Sequence, residues 1–172
     1  PWKANKDIIL FKNTTYNTLT FVGGGLFNTA AGYISTVVGG LYNKTYGNAS
    51  FVGGGGFNTA AGCACTIVGG FQNKALGIIS FVGGGGFNTA AGYGTTVVGG
   101  TRNNAYSSLS LIGGGLLNTI IGADSYYSVI GGGRHNVISS TGPSFSSVIS
   151  GGQDTRIAGT GTSYGSFIGG GK

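Results

Sequence analysis

Glutamate and methionine are absent from this 172-residue chain, aspartate occurs three times, and there are one histidine, one tryptophan, two cysteines and two prolines. Each scarcity excludes something. Glycosidase or protease chemistry needs paired carboxylates, or a nucleophile with its base. Here Asp7, Asp124 and Asp154 are far apart in the chain and His135 is the sole imidazole. A set of Asp124, His135 and a serine is conceivable, but His135 reads more simply as a replacement for Phe or Leu in a corner row that also holds Arg102. Two thiols are too few for a zinc site by themselves. Cys63 and Cys65 therefore read as reduced packing residues, with a strained local or an intermolecular disulfide as the alternative. Near-absence of proline, with glycines in no period of three, excludes collagen. No apolar run approaches the roughly 18 residues of a membrane-spanning helix, so membrane insertion is not expected. No secretory leader is visible, and a chain starting at Pro1 reads as a processed product or a fragment. The formal charge is +6, yet the lysines and arginines are scattered rather than gathered into a basic stripe, so nucleic acid is not an expected partner.

What the chain has is glycine, 39 residues of it, beside an apolar content of 40 %. A disordered polar tail does not carry that much apolar material. Asn recurs at 13, 28, 43, 58, 73, 88, 103 and 118, always 15 residues apart, then at Asn136, with Thr155 in the same place one unit later. A Gly-Gly pair precedes each from Asn28 onward, and the unit reads S-x-V-x-G-G-x-x-N-x-A-x-G. Repeats of this length point to stacked coils, because one unit cannot bury a face alone. The row Val22, Val37, Val52, Ile67, Val82, Val97, Ile112, Ile130, Ile149 and Ile168 is never polar, and a small hydroxyl or thiol lies two residues before most of it. That alternation predicts strands. Ala30, Ala60, Ala75, Ala90 and Ala105 are expected where the wall is thin. Gly32, Gly47, Gly62, Gly77, Gly92 and Gly122 are expected as corners at positive φ, and the Gly-Gly pairs as a second corner. Asn28, Asn43, Asn58, Asn73, Asn88, Asn103 and Asn118 should form a hydrogen-bonded ladder up the stack. The fold class is all-β, a parallel β-solenoid of about ten 15- to 19-residue coils. Residues 1–12 form a cap or lead-in, 13–122 the regular repeats, and 123–172 repeats with enlarged corner loops.

A finer alternation runs through the repeats. Phe21, Phe51 and Phe81 alternate with Thr36, Thr66 and Thr96, while two residues on Gly23, Gly53 and Gly83 alternate with Val38, Val68 and Val98. Large with Gly and small with Val conserves volume, as close packing requires. The Val22 row claims the inside, so Phe21, Val38, Phe51, Val68, Phe81 and Val98 should face another chain.

The segment Ser50 to Gly62, S-F-V-G-G-G-G-F-N-T-A-A-G, returns at Ser80 to Gly92. It resembles the YadA-like head repeats of trimeric autotransporter adhesins, and similar Gly-Gly-x-x-Asn repeats in phage and large-virus fibre proteins. The resemblance covers residues 8 to 172. It implies a left-handed β-roll, a homotrimer, an extracellular, cell-surface or virion-surface location, and attachment to host glycan or protein alongside other fibre components. The unit here is 15 and then 18 to 19 residues, against nearer 14 in that family, and no neck, stalk heptads or anchor strands occur.

Several chemistries fail on the residues. The Gly-Gly turns carry no Asp, unlike calcium-loaded solenoids, and no Gly-Lys-Ser/Thr follows a glycine run, so no phosphate loop is expected. No cofactor and no catalytic activity are expected. The row after Asn (Thr14, Thr29, Lys44, Thr59, Lys74, Thr89, Asn104, Thr119) is broken by lysines, which argues against an ice-binding threonine array. The enlarged segments Ala123 to Tyr127, Ser139 to Ser146 and Thr160 to Gly165 should stack on one side of the rod. They display Tyr126, Tyr127, Phe145 and Tyr164 amid small polar residues. The expected function is a rigid structural module of a surface fibre or adhesin; the alternative is a monomeric solenoid that binds glycans through those C-terminal loops.

Overall fold

In the computed structural model, residues 12–122, 126–140, 144–159 and 163–172 are described. Trp2, Asp7, Ala123 and Asp124 lie outside them, as do the side chains of Phe145 and Tyr164.

Short parallel strands stack into a β-solenoid of about nine turns. One ten-stranded sheet begins at Thr14–Thr15, the other at Phe21–Val22, and each ends near the C-terminus, at Arg156–Gly159 and Phe167–Ile168 respectively. The register is direct: Thr59 pairs with Lys74, and Phe81 with Thr96. Each coil thus contributes one strand to each sheet. The residue after Asn opens the first sheet's strand and faces out, and its successor faces in. A third wall is made of single bridges running Leu26, Leu41, Gly56, Phe71, Gly86, Thr101, Leu116, Arg134 and Gln153.

Between the sheets lies a core one side chain deep from each wall. Val37, Val52, Ile67, Val82, Val97 and Ile112 come from the second sheet, and Ala30, Ala60, Ala75, Ala90 and Ala105 from the first, all at 0 % exposure. Thr45 takes an alanine place, and its hydroxyl is satisfied internally by Ser35 Oγ at 3.0 Å. From Ile120 onward the alanine place is held by Ile120, Ile138 and Ile157, facing Ile130, Ile149 and Ile168. Larger side chains fill the wider coils, as native packing density demands. In the same region the first sheet's strands lengthen to Val137–Ser140 and Arg156–Gly159, and Ser144–Phe145 pairs with Ser163–Tyr164 as a separate two-stranded ladder. The extra residues of the last coils are therefore partly strand.

The structure corrects the expected role of one glycine row. Gly32, Gly47, Gly62, Gly77 and Gly92 do not take positive φ; in that row only Gly122 does, at 140°. They are glycine because successive coils touch there: a Cβ on Gly47 would lie 1.9 Å from the carbonyl oxygen of Gly62. The left-handed positions are elsewhere. The second glycine of each Gly-Gly pair has φ from 77° at Gly25 to 108° at Gly152. So do two rows of ordinary residues, those just before Asn (Phe27, Tyr42, Phe57, Gln72, Phe87, Arg102, Leu117, His135, Asp154) and those just before the Ser row (Ile34, Ala49, Ala64, Ile79, Leu109, Tyr127, Ser146). A side chain at positive φ costs about 1–2 kcal/mol. Here the strained turn reverses one amide per corner. Most N–H groups donate to the next coil, as Leu41 does to Gly55, whereas Tyr42 donates back to Leu26 at 3.0 Å and Ala49 back to Tyr33 at 2.8 Å.

Candidate functional site

The asparagine ladder forms, mostly through backbone partners, with one amide-to-amide contact from Asn58 Nδ2 to Asn43 Oδ1 at 3.1 Å. The N–H of Asn43 donates to Asn28 Oδ1 at 2.9 Å, and the pattern continues through Asn58, Asn73, Asn88, Asn103, Asn118 and Asn136 to the N–H of Thr155. Each Nδ2 donates to the first glycine carbonyl of its own Gly-Gly pair and to the second glycine carbonyl of the coil above, as Asn88 does with Gly84 and Gly100 at 2.9 Å. These asparagines are fully buried. They seal a corner and are not available to a ligand.

The alternating face is outward, as the volume pattern implies. A Cβ on Gly53 would lie 3.3 Å from Phe51 Cε1 and 2.3 Å from the carbonyl oxygen of Val68, and Gly83 stands in the same relation to Phe81 and Val98. Each phenyl ring folds across its own glycine, leaving a low relief of rings and valines. Phe21, Val38, Val68 and Val98 are exposed, and Phe51 and Phe81 half-buried. No outward residue of this sheet is ionisable from Phe21 to Gly169. The first sheet's outward row, by contrast, carries Lys44, Lys74 and Arg156.

At the C-terminal loops, Phe145 and Tyr164 are direct cross-strand partners. The Ser146 N–H donates to the carbonyl of Tyr126 at 3.1 Å, which ties the first enlarged segment to the second. Tyr127 is exposed at φ 57°.

The corner row that holds His135 and Arg102 is, in its first half, a stack of rings that the sequence pattern did not announce. The residues before Asn project at the corner between the third wall and the first sheet. Phe27 stacks on Tyr42 with centroids 4.7 Å apart and planes 9° apart, and Tyr42 on Phe57 at 5.1 Å and 22°. At the next coil that place holds Gln72, and Phe71, one residue earlier, meets Phe57 and Phe87 edge-on at 5.5 and 5.7 Å. The Arg102 guanidinium closes the run 5.6 Å above the Phe87 ring. Stacked rings shield one another's faces, so the run stiffens the corner and offers mostly edges to solvent. The exception is the gap at Gln72. There Phe57, Gln72, Lys74, Phe87 and Thr89 enclose a depression of about 390 Å³. The signal was present in the spacing of Phe27, Phe57 and Phe87, but the one-residue shift to Phe71 hid it.

Further along the same corner row, His135 Nδ1 lies 2.6 Å from Asp154 Oδ1, both exposed. The hydrogen bonds from His135 and then Gln153 hold the Asp154 carboxyl below its ordinary range. Burial pushes the Cys65 thiol up to about 11, and it bonds the Gly62 carbonyl at 2.8 Å while Cys63 is exposed; both are free thiols. Among the described residues, no three of His, Cys, Asp and Glu gather as metal ligands. No helix of the described chain is long and apolar enough to cross a membrane.

Comparison with known protein families and with curated proteins finds no match.

Proposed function

We propose that the chain is a structural rod module of an extracellular or virion-surface fibre or adhesin, associating side by side with copies of itself and acting through rigidity and multivalent attachment rather than catalysis. The observation that carries this reading is the second sheet's outer face, ten rungs of Phe, Thr, Val, Leu, Gly and Ser without one ionisable side chain. Soluble single chains rarely expose a continuous apolar patch beyond a few hundred Å². The alternating relief of Phe51, Val68 and Phe81 gives a neighbouring copy a register to read, one rung at a time. A bundle of three is the number that the resemblance to trimeric adhesin heads implies.

Sedimentation equilibrium tests it. The chain should run at three chain masses, and a Phe51→Lys, Val68→Lys variant should run at one, with its far-ultraviolet spectrum unchanged. A wild-type chain that remains monomeric at high concentration overturns the reading.

A second reading is favoured by the pairing of Phe145 with Tyr164. That ladder sets two aromatic positions one strand spacing apart beside Tyr127, an arrangement suited to glycan contact by loops on a rigid scaffold. Loss of glycan binding in Tyr164→Ala, in a monomeric wild type, would support it over the first.

A further inference from the structure

We propose that the notch at Gln72 binds an acidic saccharide, a sugar ring bearing a carboxylate or a sulfate, with Lys74 as its counter-ion. Three observations converge there. First, within the run from Phe27 to Phe87 this is the one coil whose residue before Asn carries no ring; Phe71, one place earlier, bridges Phe57 and Phe87 edge-on, and both rings line the recess beside Gln72. Between them Gln72 and Thr89 bring an amide and a hydroxyl to the mouth of the depression. Apolar flanks with a few convergent polar groups are the usual make-up of a small-ligand site, and C–H faces of a sugar ring suit the flanks while its hydroxyls suit Gln72 and Thr89.

Second, the cation is unbalanced. Lys74 is exposed and lines the depression; among the described residues the one ion pair is between Asp154 and His135, several coils away. Lys44 occupies the equivalent place two coils earlier, but there the ring of Tyr42 stacks between Phe27 and Phe57 where Gln72 stands at the notch. The chain's net charge of +6 adds to the attraction of an anion.

Third, the backbone offers nothing to an acidic peptide. The N–H of Gln72 is committed to Gly56 and that of Lys74 to Asn88, so no strand edge is open for pairing. Recognition has to come from side chains, which favours a saccharide. The notch is separated from the uncharged sheet face by the Gly-Gly corner, so the site is independent of chain association and of the C-terminal loops.

Titration calorimetry on the purified, assembled chain tests this with four probes: a sulfated uronate–hexosamine tetrasaccharide, its desulfated counterpart, neutral chitotetraose, and a polyglutamate peptide. An acidic tetrasaccharide should bind, with affinity falling about tenfold or more in both Lys74→Ala and Gln72→Phe. The latter completes the row with the residue that positions 57 and 87 already hold at the same backbone angle, and so fills the notch without a new strain. Lys44→Ala and Tyr127→Ala should shift affinity by less than about twofold. Binding of the sulfated form alone assigns a sulfate ester, and binding of both assigns the carboxylate; either supports the site. Equal binding of chitotetraose or polyglutamate, equal effects of Lys44→Ala and Lys74→Ala, retained binding in Gln72→Phe, or no binding of either acidic probe overturns it.

Discussion

Asn58 Oδ1 accepts the backbone N–H of Asn73 at 3.0 Å, while Asn58 Nδ2 donates to the carbonyls of Gly54 and Gly70 at 2.9 Å. One buried side chain therefore closes three backbone groups on two successive coils. Asn58→Ala strands them together. With about 1–3 kcal/mol for each buried group left unpaired, the loss should reach roughly 3 kcal/mol, read as a fall in the midpoint of denaturant unfolding.

Two glycines in one coil should answer alanine differently. A Cβ on Gly62 meets the Gly77 carbonyl oxygen at 2.1 Å, whereas one on Gly54 meets nothing within 4 Å. Gly62→Ala should push two coils apart and abolish cooperative unfolding. Gly54→Ala should change stability by no more than about 0.5 kcal/mol. Circular dichroism of the pair through a thermal scan separates them.

The two thiols are opposite in reactivity. Cys63 is exposed, and Cys65 is buried with its thiol raised to about 11. Iodoacetamide should modify Cys63 in the folded chain and both residues in denaturant, by mass spectrometry. The folded state holds the Cys65 proton more tightly than the unfolded chain, whose thiol ionises near 9.0. Its contribution is intact below pH 9, declines above it, and is lost as pH rises through about 11. Cys65→Ser, matching Ser50 and Ser80 in the same row, should remove that alkaline loss and leave neutral-pH stability nearly unchanged.

Asn43-Lys44-Thr45 and Asn48-Ala49-Ser50 both match the acceptor pattern for N-glycosylation. Asn43 is fully buried, and its Nδ2 is shared between Gly39 and Gly55; Asn48 is exposed. When the chain is made in a glycosylating secretory pathway, the folded fraction should carry glycan at Asn48 but not at Asn43. Glycopeptide mapping of protease-resistant material checks this, and Asn43→Gln, which breaks the ladder bonds of Asn43, should lower the folded fraction.

The period of 15 made the stack and its core legible, because Val37, Val52 and Asn43, Asn58 each have one job at every level. Positive φ at Phe27, Tyr42 or Ile34 was not legible. Left-handed backbone is usually reserved for glycine and asparagine, and only the back-donated amides of the neighbouring coil show what holds these bulky residues there. The Gly32 row departs from its expected positive φ for a related reason: its glycine answers a contact one coil away, which no local rule contains. At the notch, Lys74 is in the sequence only an interruption of a threonine row. Its meaning depends on Gln72 and on Phe71 standing one place early, a relation that exists only once coils are superposed.

Phe51 and Thr66 on successive rungs give the rod a natural step of 30 residues, not 15. Insertions or deletions of two units between Phe21 and Val98, where the alternation runs, would leave the outer relief in phase. Loss of a single unit would set Phe beside Phe, or Val beside Val, at the junction and shift the alternation by one rung beyond it, so a neighbouring copy would meet the wrong profile. Length variants that arise by recombination between these near-identical segments should therefore survive in even steps.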